Sequence, residues 1–387
     1  DATTACSDDD AADLEVIDLL GEGGMGRVLL ARQHTLHREV AVKVLFDDPS
    51  DDDRAALLDE GAIIGSLEHP SIVPVHALGL DLAGRPVLVM KRIDGVTLSD
   101  LLDDPKHELW GDRSEPDDRL VRGLEILMQV CNAAHFAHSR GVIHRDIKPS
   151  NVLVGHHGDV YLVDWGVSVR SDEATAGSDH FAGTPCFAAP EMVSGERLVP
   201  QTDVYLLGAT LHVLLTGKPL HTGDSVREVL ASAVLSREHD YPEKVPLELA
   251  LLANAATERA IEDRPVSADA FRRAIGDFLE HRSSSALAAS AISRLGELWV
   301  LMTEDDEGDA DHGRRIDELA VEARFALDQA LRLWSENGEA KQAQSELERW
   351  FAQRRARDAK LRRLGRDQDE TRSAGKRMLA FAGLTVG

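Results

Sequence analysis

Cysteine is scarce in this chain of 387 residues, which contains only Cys6, Cys131 and Cys186. The three lie far apart and form no C-x-x-C pair, so the sequence excludes a disulfide scaffold and indicates a reducing compartment. Long apolar runs are absent as well. No stretch of about 18 consecutive apolar residues occurs, which excludes a complete membrane span within these residues.

Basic residues are also few compared with acidic ones. Lys and Arg total 43 against 68 Asp and Glu, which gives a formal net charge of −25. Such an acidic surface repels phosphate backbones, so sequence-independent binding to nucleic acid is excluded as the main function. By contrast, 43% of the residues are hydrophobic. That fraction is enough for a sizeable core, and the length predicts about two or three domains.

The hydrophobic pattern divides the chain into segments of different character. Residues 1–13 are acidic, small and aperiodic, and we predict a disordered leader there. From Leu14, alternating runs around Gly-rich turns predict antiparallel strands, and beyond about Leu98 the pattern becomes mostly helical. A Ser-rich stretch predicts a linker at 282–290, followed by a helical segment at 291–377.

The helical segment carries apolar residues at three- and four-residue steps on both sides of the turn S-E-N-G-E, which predicts a pair of helices. The junction is similar to that between tetratricopeptide units, although no second copy occurs at a period of about 34 residues. A unit of that kind would bind protein partners. A plain helical hairpin or a juxtamembrane linker fits the same pattern equally well.

Basic residues concentrate near the C-terminus. Between Arg349 and Arg377 there are 11 basic and 4 acidic residues, a local net charge of +7. An uncharged apolar tail follows at 378–387, and a basic block before an apolar run is typical of the cytoplasmic flank of a membrane helix. A complete span needs about 20 residues. The tail is therefore either the start of a membrane anchor, which would tether a cytoplasmic protein to the inner membrane, or an amphipathic helix that docks on the protein.

A glycine-rich string, G-E-G-G-M-G-R-V, runs from Gly21 to Val28. Glycine has no Cβ, so such a loop can approach phosphates closely and point its N–H groups at their oxygens. Alone, the string is also compatible with a dinucleotide-binding fold, but that fold requires a helix directly at the glycines. Here V-L-L-A-R and V-A-V-K follow, and they predict one strand after another.

Lys43 ends the strand V-A-V-K and can reach the phosphates of a bound nucleotide. Without a partner it would be an ordinary exposed strand lysine. A carboxylate is needed to fix its position, and Glu60 on the helix predicted from Asp51 to Leu67 is the candidate. Asp59 is adjacent in sequence, but it would point about 100° away around the helix.

The string H-R-D-I-K-P-S-N brings three useful side chains together. Asp146 can accept a hydroxyl proton, Lys148 can neutralise phosphate, and Asn151 can hold Mg²⁺. Asp164, in D-W-G, follows 13 residues after Asn151. It can supply a second oxygen ligand of the kind that Mg²⁺ prefers.

Further motifs complete the series: G-T-P at Gly183–Pro185, A-A-P-E ending at Glu191, Asp203 in D-V-Y-L-L-G, and Arg264 in E-D-R-P. In this order and spacing, the motifs resemble those of protein kinases, and specifically of the bacterial eukaryotic-like Ser/Thr kinases. The resemblance covers residues 14–281. It implies an α+β, bilobal protein kinase fold, with an antiparallel β N-lobe carrying one helix and a mainly helical C-lobe, followed here by an all-α C-terminal segment.

The resemblance also implies the reaction and the role of each residue. ATP and Mg²⁺ are expected at the site, and Ser/Thr hydroxyls of proteins are the expected acceptors. Asp146 is expected as the base, Lys148 and Lys43 as phosphate contacts, and Asn151 and Asp164 as metal ligands. The residues expected around the nucleotide are Gly21, Glu22, Gly23, Gly24, Met25, Gly26 and Arg27 in the glycine-rich loop, Leu20, Val28, Ala41 and Leu153 around adenine, Met90 as gatekeeper, Lys91 and Ile93 through their main chain, and Lys43 with Glu60 at the phosphates.

Two features of the resemblance concern specificity and regulation. Lys148 is the Ser/Thr-kinase version of the catalytic loop, and Thr184 is the residue expected to contact that loop. Arg145, directly before the expected base, implies regulation by phosphorylation of a downstream loop. Thr175 and Ser178 are the candidate acceptors, and solvated loop hydroxyls are the alternative.

A pseudokinase, which would keep the fold without turnover, is the competing interpretation. Such proteins usually lose the counterparts of Lys43, Asp146 or Asp164, and all three are present here. Trp165 replaces the usual Phe of D-F-G but remains a large aromatic residue that can pack in the same way. The intact set therefore favours an active enzyme.

Overall fold

The computed structural model describes residues 13–24, 26–81, 83–111, 115–172, 181–302 and 310–383. The chain divides into two compact units, the first ending at Gly276 and the second beginning at Asp277. Met25, Thr175, Ser178, nearly all of the predicted leader and the last four residues of the apolar tail lie outside the described residues.

A five-stranded antiparallel sheet opens the first unit, with the strand order β1-β2-β3-β5-β4. Successive side chains of a strand point to opposite faces. Alternate positions of β3 therefore place Val40 and Val42 in one buried cluster with Ala31 and Val89. The strands are β1 (Leu14–Glu22), β2 (Gly26–Gln33), β3 (Arg38–Leu45), β4 (Val75–Leu80) and β5 (Pro86–Lys91).

Helix α1 (Asp51–Gly65) packs against this sheet and begins at a capping box. The Ser50 hydroxyl accepts a hydrogen bond from the backbone N–H of Asp53 (3.1 Å), and the Asp53 carboxylate accepts one from the backbone N–H of Ser50 (3.0 Å). Such a cap satisfies two N–H groups that a helix start would otherwise leave unpaired. Leu57 and Glu60, three residues apart, lie on the buried face of the helix.

Helix α5 (Pro200–Thr216) forms the centre of the helical part of the first unit, because it is buried continuously from Thr202 to His212. A helix that is apolar on most sides is expected at the middle of a core. Two small sheets, with orders β6-β8-β9 and β10-β7, lie in the same part of the chain. The other elements are β6 (Gly95–Thr97), α2 (Leu98–Asp103), α3 (Pro116–Ser139), β7 (Val142–Ile143), β8 (Val152–Gly155), β9 (Val160–Leu162), β10 (Val169–Arg170), α4 (Pro190–Ser194), α6 (Val226–Leu235) and α7 (Leu247–Ala256).

The second unit is helical and contains the predicted helix pair. Asn337 caps the second helix of the pair: its Oδ1 accepts from the backbone N–H of Ala340 (3.0 Å), and its Nδ2 donates to Ser284 Oγ (2.9 Å). The helices are α8 (Ala268–Leu301), which begins in the first unit, α9 (Ala310–Leu333) and α10 (Gly338–Gly383). Their shared core consists of Ala288, Ala291, Leu295, Leu298, Leu319, Ala320, Ala323, Ala326, Leu327, Ala330, Ala340, Ala343, Leu347 and Trp350.

The structure differs from the predicted linker at 282–290, because these residues lie inside α8. The Ser283 hydroxyl donates to the carbonyl of Leu279, one turn earlier in the same helix (2.9 Å). Ser284 is fully buried and donates to the carbonyl of Ala330 (2.8 Å). The hydroxyls of Ser283 and Ser284 are thus satisfied within the helix and its bundle, so these two polar residues do not break the helix.

Candidate active site

The glycine-rich turn joins β1 to β2 and leaves open space beside its backbone. A Cβ at Gly21, Gly23 or Gly24 would meet nothing within 4 Å. A Cβ at Gly26 would instead lie 2.0 Å from the carbonyl oxygen of Val44 on β3, so the close approach of β2 and β3 requires glycine there. The turn can therefore accept a bulky ligand group against its main chain.

Lys43 and Glu60 form a buried ion pair. Lys43 Nζ lies 2.8 Å from Glu60 Oε1 and 2.7 Å from Oε2, and it also lies 3.5 Å from Asp164 Oδ1. Burial raises the pKa of the Glu60 carboxyl, and the Lys43 ammonium opposes that rise. Asp59 is exposed, as its place on the helix predicts. The structure thus brings together the two residues that the sequence analysis paired.

Asp146 is held by three polar side chains. Its Oδ2 accepts from Lys148 Nζ (2.7 Å) and from Asn151 Nδ2 (2.9 Å), and its Oδ1 accepts from the Thr184 hydroxyl (2.7 Å). Asn151 also donates to the Asp146 backbone carbonyl (2.8 Å). Burial by itself would raise the pKa of the Asp146 carboxyl, but the bonds from Lys148 and Thr184 outweigh it and the pKa is lowered. The result is an ionised carboxylate that is almost fully buried.

Asp203 supports the loop that carries this carboxylate. Its fully buried side chain accepts from the backbone N–H groups of His144 (2.8 Å) and Arg145 (2.9 Å) and contacts His138 Nε2 (2.7 Å). Arg145 has a φ of 70°, a left-handed conformation that costs a non-glycine residue about 1–3 kcal/mol. The Asp203 carboxylate, which accepts from two successive backbone N–H groups, holds this strained turn in place. The motif D-V-Y-L-L-G drew attention to Asp203, but the sequence offered no signal for this support.

Trp165 packs as the aromatic residue of the D-W-G motif. It is 1% exposed, its indole N–H donates to the carbonyl of Leu162 (3.2 Å), and its ring meets His144 edge-on at 4.5 Å. Asp164, directly before it, has a φ of 63° and a half-exposed side chain. The buried indole therefore fixes the turn that leaves the Asp164 carboxylate accessible.

Strand register orders the residues expected around the base. Ala41 lies opposite Met90, and the next pair along is Val40 and Lys91. The N–H of Lys91 donates to the carbonyl of Pro74 (2.9 Å), so a base would have to bond the carbonyl of Lys91 instead of this N–H. The remaining expected residues lie on β1 (Leu20, Glu22), on β2 (Arg27, Val28), just after β5 (Ile93) and on β8 (Leu153).

A second buried ion pair lies at the end of the A-A-P-E motif. Arg264 donates to both carboxylate oxygens of Glu191, at 2.7 and 2.9 Å, and both residues are almost fully buried. The guanidinium also donates to the carbonyls of Glu258 (2.7 Å) and Gln201 (3.2 Å). Because the guanidinium binds both carboxylate oxygens and two backbone carbonyls, its orientation is fixed. The pair therefore anchors the segment before α4.

Comparison with known proteins agrees with this geometry. Serine/threonine-protein kinase PknB of Mycobacterium tuberculosis is 35% identical over 219 residues, which cover 54% of this chain and 33% of that protein. PknB of Mycobacterium leprae is 36% identical over 218 residues with the same coverage. Serine/threonine-protein kinase PknD of Chlamydia trachomatis is 30% identical over 321 residues, which cover 74% of this chain and 33% of that protein.

The chain spans about a third of the length of these curated relatives. Residues 14–274, more than half of the chain, match the protein kinase domain family. With the paired Lys43 and Glu60 and the bonded cluster around Asp146, the chain belongs to the protein kinase family.

Proposed function

We propose that the first unit is a serine/threonine protein kinase, which transfers the γ-phosphoryl group of ATP to protein hydroxyls. The names of the similar proteins support this function. The proposal rests above all on the bonding around Asp146, where Lys148 and Thr184 both contact the carboxylate. This arrangement keeps a proton acceptor ionised beside a cation that can face phosphate.

The chemistry follows from positioning and charge. A transferred phosphoryl group is highly charged, so catalysis depends mainly on alignment and electrostatic stabilisation. Asp146 would orient the incoming hydroxyl and take its proton, while Lys148 stabilises charge on the phosphoryl oxygens. Lys43, fixed by Glu60, would hold the other phosphates. No covalent enzyme intermediate is needed.

The oxygen donors at the site fit Mg²⁺. Asn151 uses its Nδ2 to bond Asp146, which leaves its Oδ1 free for another contact, and Asp164 offers a half-exposed carboxylate. Carboxylate and amide oxygens are the ligands that Mg²⁺ takes beside phosphates. When bound, the metal would neutralise charge on those phosphates.

Autophosphorylation with γ-labelled ATP and Mg²⁺ tests the proposal, with Asp146→Asn beside the wild type and mapping of every labelled residue. We expect label on Ser or Thr in the wild type alone. Mg²⁺-ATP that raises the melting temperature without any transfer, to the chain itself or to added Ser/Thr peptides, would instead identify a nucleotide-binding scaffold.

We propose that activity responds to phosphorylation near residues 173–180, where Thr175 and Ser178 are the candidate acceptors. Within the described part of the chain, the buried Nε of Arg145 has no hydrogen-bond partner. A guanidinium with a free donor beside the catalytic loop is suited to a phosphate. Replacing both acceptors with Ala should remove the activation that prior incubation with ATP produces. Equal activation of the variant and the wild type would exclude regulation through these two residues.

We also propose that the second unit brings the kinase to an anionic membrane surface, leaving protein partners of its helix pair as the alternative. None of the helices in the described ranges is both long and apolar enough to cross a bilayer. The supporting feature is charge: of eight exposed or half-exposed cations at 349–366, only Arg354 pairs with a carboxylate among the described residues, namely Asp317. The unpaired cations are Arg349, Arg355, Arg357, Lys360, Arg362, Arg363 and Arg366.

Sedimentation of the full chain with lipid vesicles tests this contact. We expect binding to vesicles that contain phosphatidylglycerol, weakening with salt, and little binding to pure phosphatidylcholine, because each basic residue near an anionic surface contributes about 1 kcal/mol. Reversing three charges in α10 should weaken binding at least about tenfold. The test variant carries Arg355→Glu, Arg362→Glu and Arg363→Glu, and the control variant carries Arg32→Glu, Arg227→Glu and Arg237→Glu. The proposal would be contradicted if the control variant lost as much binding as the test variant, or if the wild type bound both kinds of vesicle equally.

A further inference from the structure

A short turn, Pro185–Phe187, lies between the active site and α4. Thr184, directly before it, bonds the catalytic carboxylate of Asp146. On the other side of the turn, the backbone N–H of His221 donates to the carbonyl of Cys186 (3.2 Å). The turn is therefore held from the active site through Thr184 and from the helical core through His221.

The His221 side chain leads away from this turn into a buried hydrogen-bond chain. His221 is 3% exposed, and its Nε2 lies 2.9 Å from the hydroxyl of Tyr205 on α5, which is fully buried. The Tyr205 hydroxyl also lies 2.6 Å from Ser236 Oγ. Ser236 Oγ lies 2.6 Å from the carbonyl of Thr257, at the end of α7. One chain of polar groups thus joins the turn to α5, α6 and α7.

The direction of the chain follows from its last member. The carbonyl of Thr257 can only accept, so the Ser236 proton lies between these two residues. The oxygen of Ser236 must then accept from Tyr205, and the oxygen of Tyr205 must accept from His221 Nε2. Each hydroxyl therefore donates to one neighbour and accepts from the other. Removing the Tyr205 hydroxyl leaves the buried Nε2–H of His221 without this acceptor, which is costly in a low-dielectric interior.

Two further contacts limit the freedom of the chain. The guanidinium of Arg264 lies 4.8 Å from the centre of the Tyr205 ring, and the same guanidinium is fixed by Glu191. Ser236 ends α6 with a φ of 37°, a left-handed conformation that a serine rarely adopts. The two hydrogen bonds of its hydroxyl hold this residue in place. The ring and the serine are therefore both restrained, and His221 is their link to the turn.

We propose that Tyr205 and His221 are positioning residues for the turn at 185–187, which begins directly after the residue that bonds the Asp146 carboxylate. This inference rests on the proposed kinase function, and it names two residues that fix the position of a turn on the acceptor side of the active site. Among the residues that the structure describes, neither Tyr205 nor His221 bonds a residue of the expected nucleotide site. Loss of the chain should therefore raise the KM for a protein acceptor and leave the KM for ATP unchanged.

Kinetics of Tyr205→Phe on the full chain provide the test, with a synthetic peptide of residues 169–182 as acceptor. We expect the peptide KM to rise about five- to tenfold, the effect of one lost hydrogen bond, with kcat and the KM for ATP within about twofold. His221→Phe should match it, and His221→Gln, whose amide can still donate to Tyr205, should recover most of the loss.

Tyr241→Phe is the matched control, because Tyr241 also bonds a histidine, His212 Nδ1, at 2.8 Å. It removes one phenol hydroxyl from a Tyr–His pair in the same unit and leaves the contacts of the turn unchanged. Hydrogen exchange completes the experiment: amides at 186–188 should exchange faster in Tyr205→Phe than in Tyr241→Phe. Equal exchange, or parallel changes in the KM values for peptide and ATP, would overturn the inference. If the wild type transfers no phosphate at all, the proposed function fails, and exchange still decides whether the chain anchors the turn.

Discussion

Thr184 donates a 2.7 Å hydrogen bond to Asp146 across 38 residues of sequence, and the same hydroxyl accepts from Lys148. The three side chains form a closed triangle, since Lys148 also bonds the other oxygen of Asp146. Each of the three contacts is a hydrogen bond with a defined donor and a defined acceptor. The hydroxyl of Thr184 therefore sets the orientation of both the carboxylate and the ammonium.

Thr184→Val should lower phosphotransfer about 10- to 100-fold, because a hydrogen bond to a charged group contributes about 1.5–3 kcal/mol. Thr184→Ser keeps the hydroxyl and should retain most of the activity. Steady-state rates of the two variants, with circular dichroism to check folding, provide the measurement. Equal loss in both would show that the methyl group, and not the hydroxyl, is required.

Glu60→Gln should lower phosphotransfer about 100-fold, the scale for removing one group that positions charge at a reacting centre. Lys43 would lose its carboxylate partner and move toward Asp164, which already lies 3.5 Å away. The control is Asp59→Asn, the same kind of change on the exposed face of α1. Comparable losses from both substitutions would refute a specific role for the buried pair.

Gly26→Ala should destabilise the first unit by about 1–3 kcal/mol, the usual cost of forcing atoms into a packed site. The added Cβ would lie 2.0 Å from the Val44 carbonyl and push β2 away from β3. Gly24→Ala, in open space, should change stability by less than about 0.5 kcal/mol. Denaturant unfolding of the two variants distinguishes a backbone constraint from a general intolerance of the glycine-rich turn.

Acid should destabilise the first unit partly through His212. Burial lowers the pKa of this histidine from 6.5 to about 4, with smaller contributions from His239 and His221. As the pH falls from 6.5 to 4, the unfolded chain binds a proton that the folded chain does not, so stability is lost across this window. Between pH 7.5 and pH 5, this one histidine lowers the free energy of unfolding by about 2 kcal/mol.

The measurement compares the free energy of unfolding at pH 7.5 and pH 5 for the wild type and His212→Gln. The variant should lose less stability between the two values, because its side chain does not titrate. His157→Gln, at an exposed position, is the control and should behave as the wild type. A pH effect as large in His212→Gln as in the wild type would contradict the assignment.

The candidate residues of the site could be named from the sequence because their motifs are short. Asp146, Lys148 and Asn151 lie within six residues, and the roles expected of them follow from residue type and spacing. The partner of Lys43 was predictable too, because helix geometry separates Glu60 from Asp59 by about 100°. In both cases the local chain geometry determines which side chains share a face, and for Lys43 and Glu60 the packing of α1 on the sheet then brings the two together.

Contacts made by the folded core could not be predicted in this way. Asp203 bonds the backbone of His144 from 59 residues away, and backbone donors leave no mark on the sequence. Tyr205 and Ser236 meet only because α5 and the end of α6 are packed together. The linker expected at 282–290 is helical for a related reason, since the partners of its serines lie within the folded helices.

The placement of the cysteines has a practical consequence. Cys131 is fully buried, and burial raises the pKa of its thiol, so it resists alkylation. Cys186 is partly accessible and lies in the turn held by Thr184 and His221. With Cys6 replaced by Ser, a maleimide fluorophore would attach at Cys186, and its emission would report changes in the surroundings of this turn.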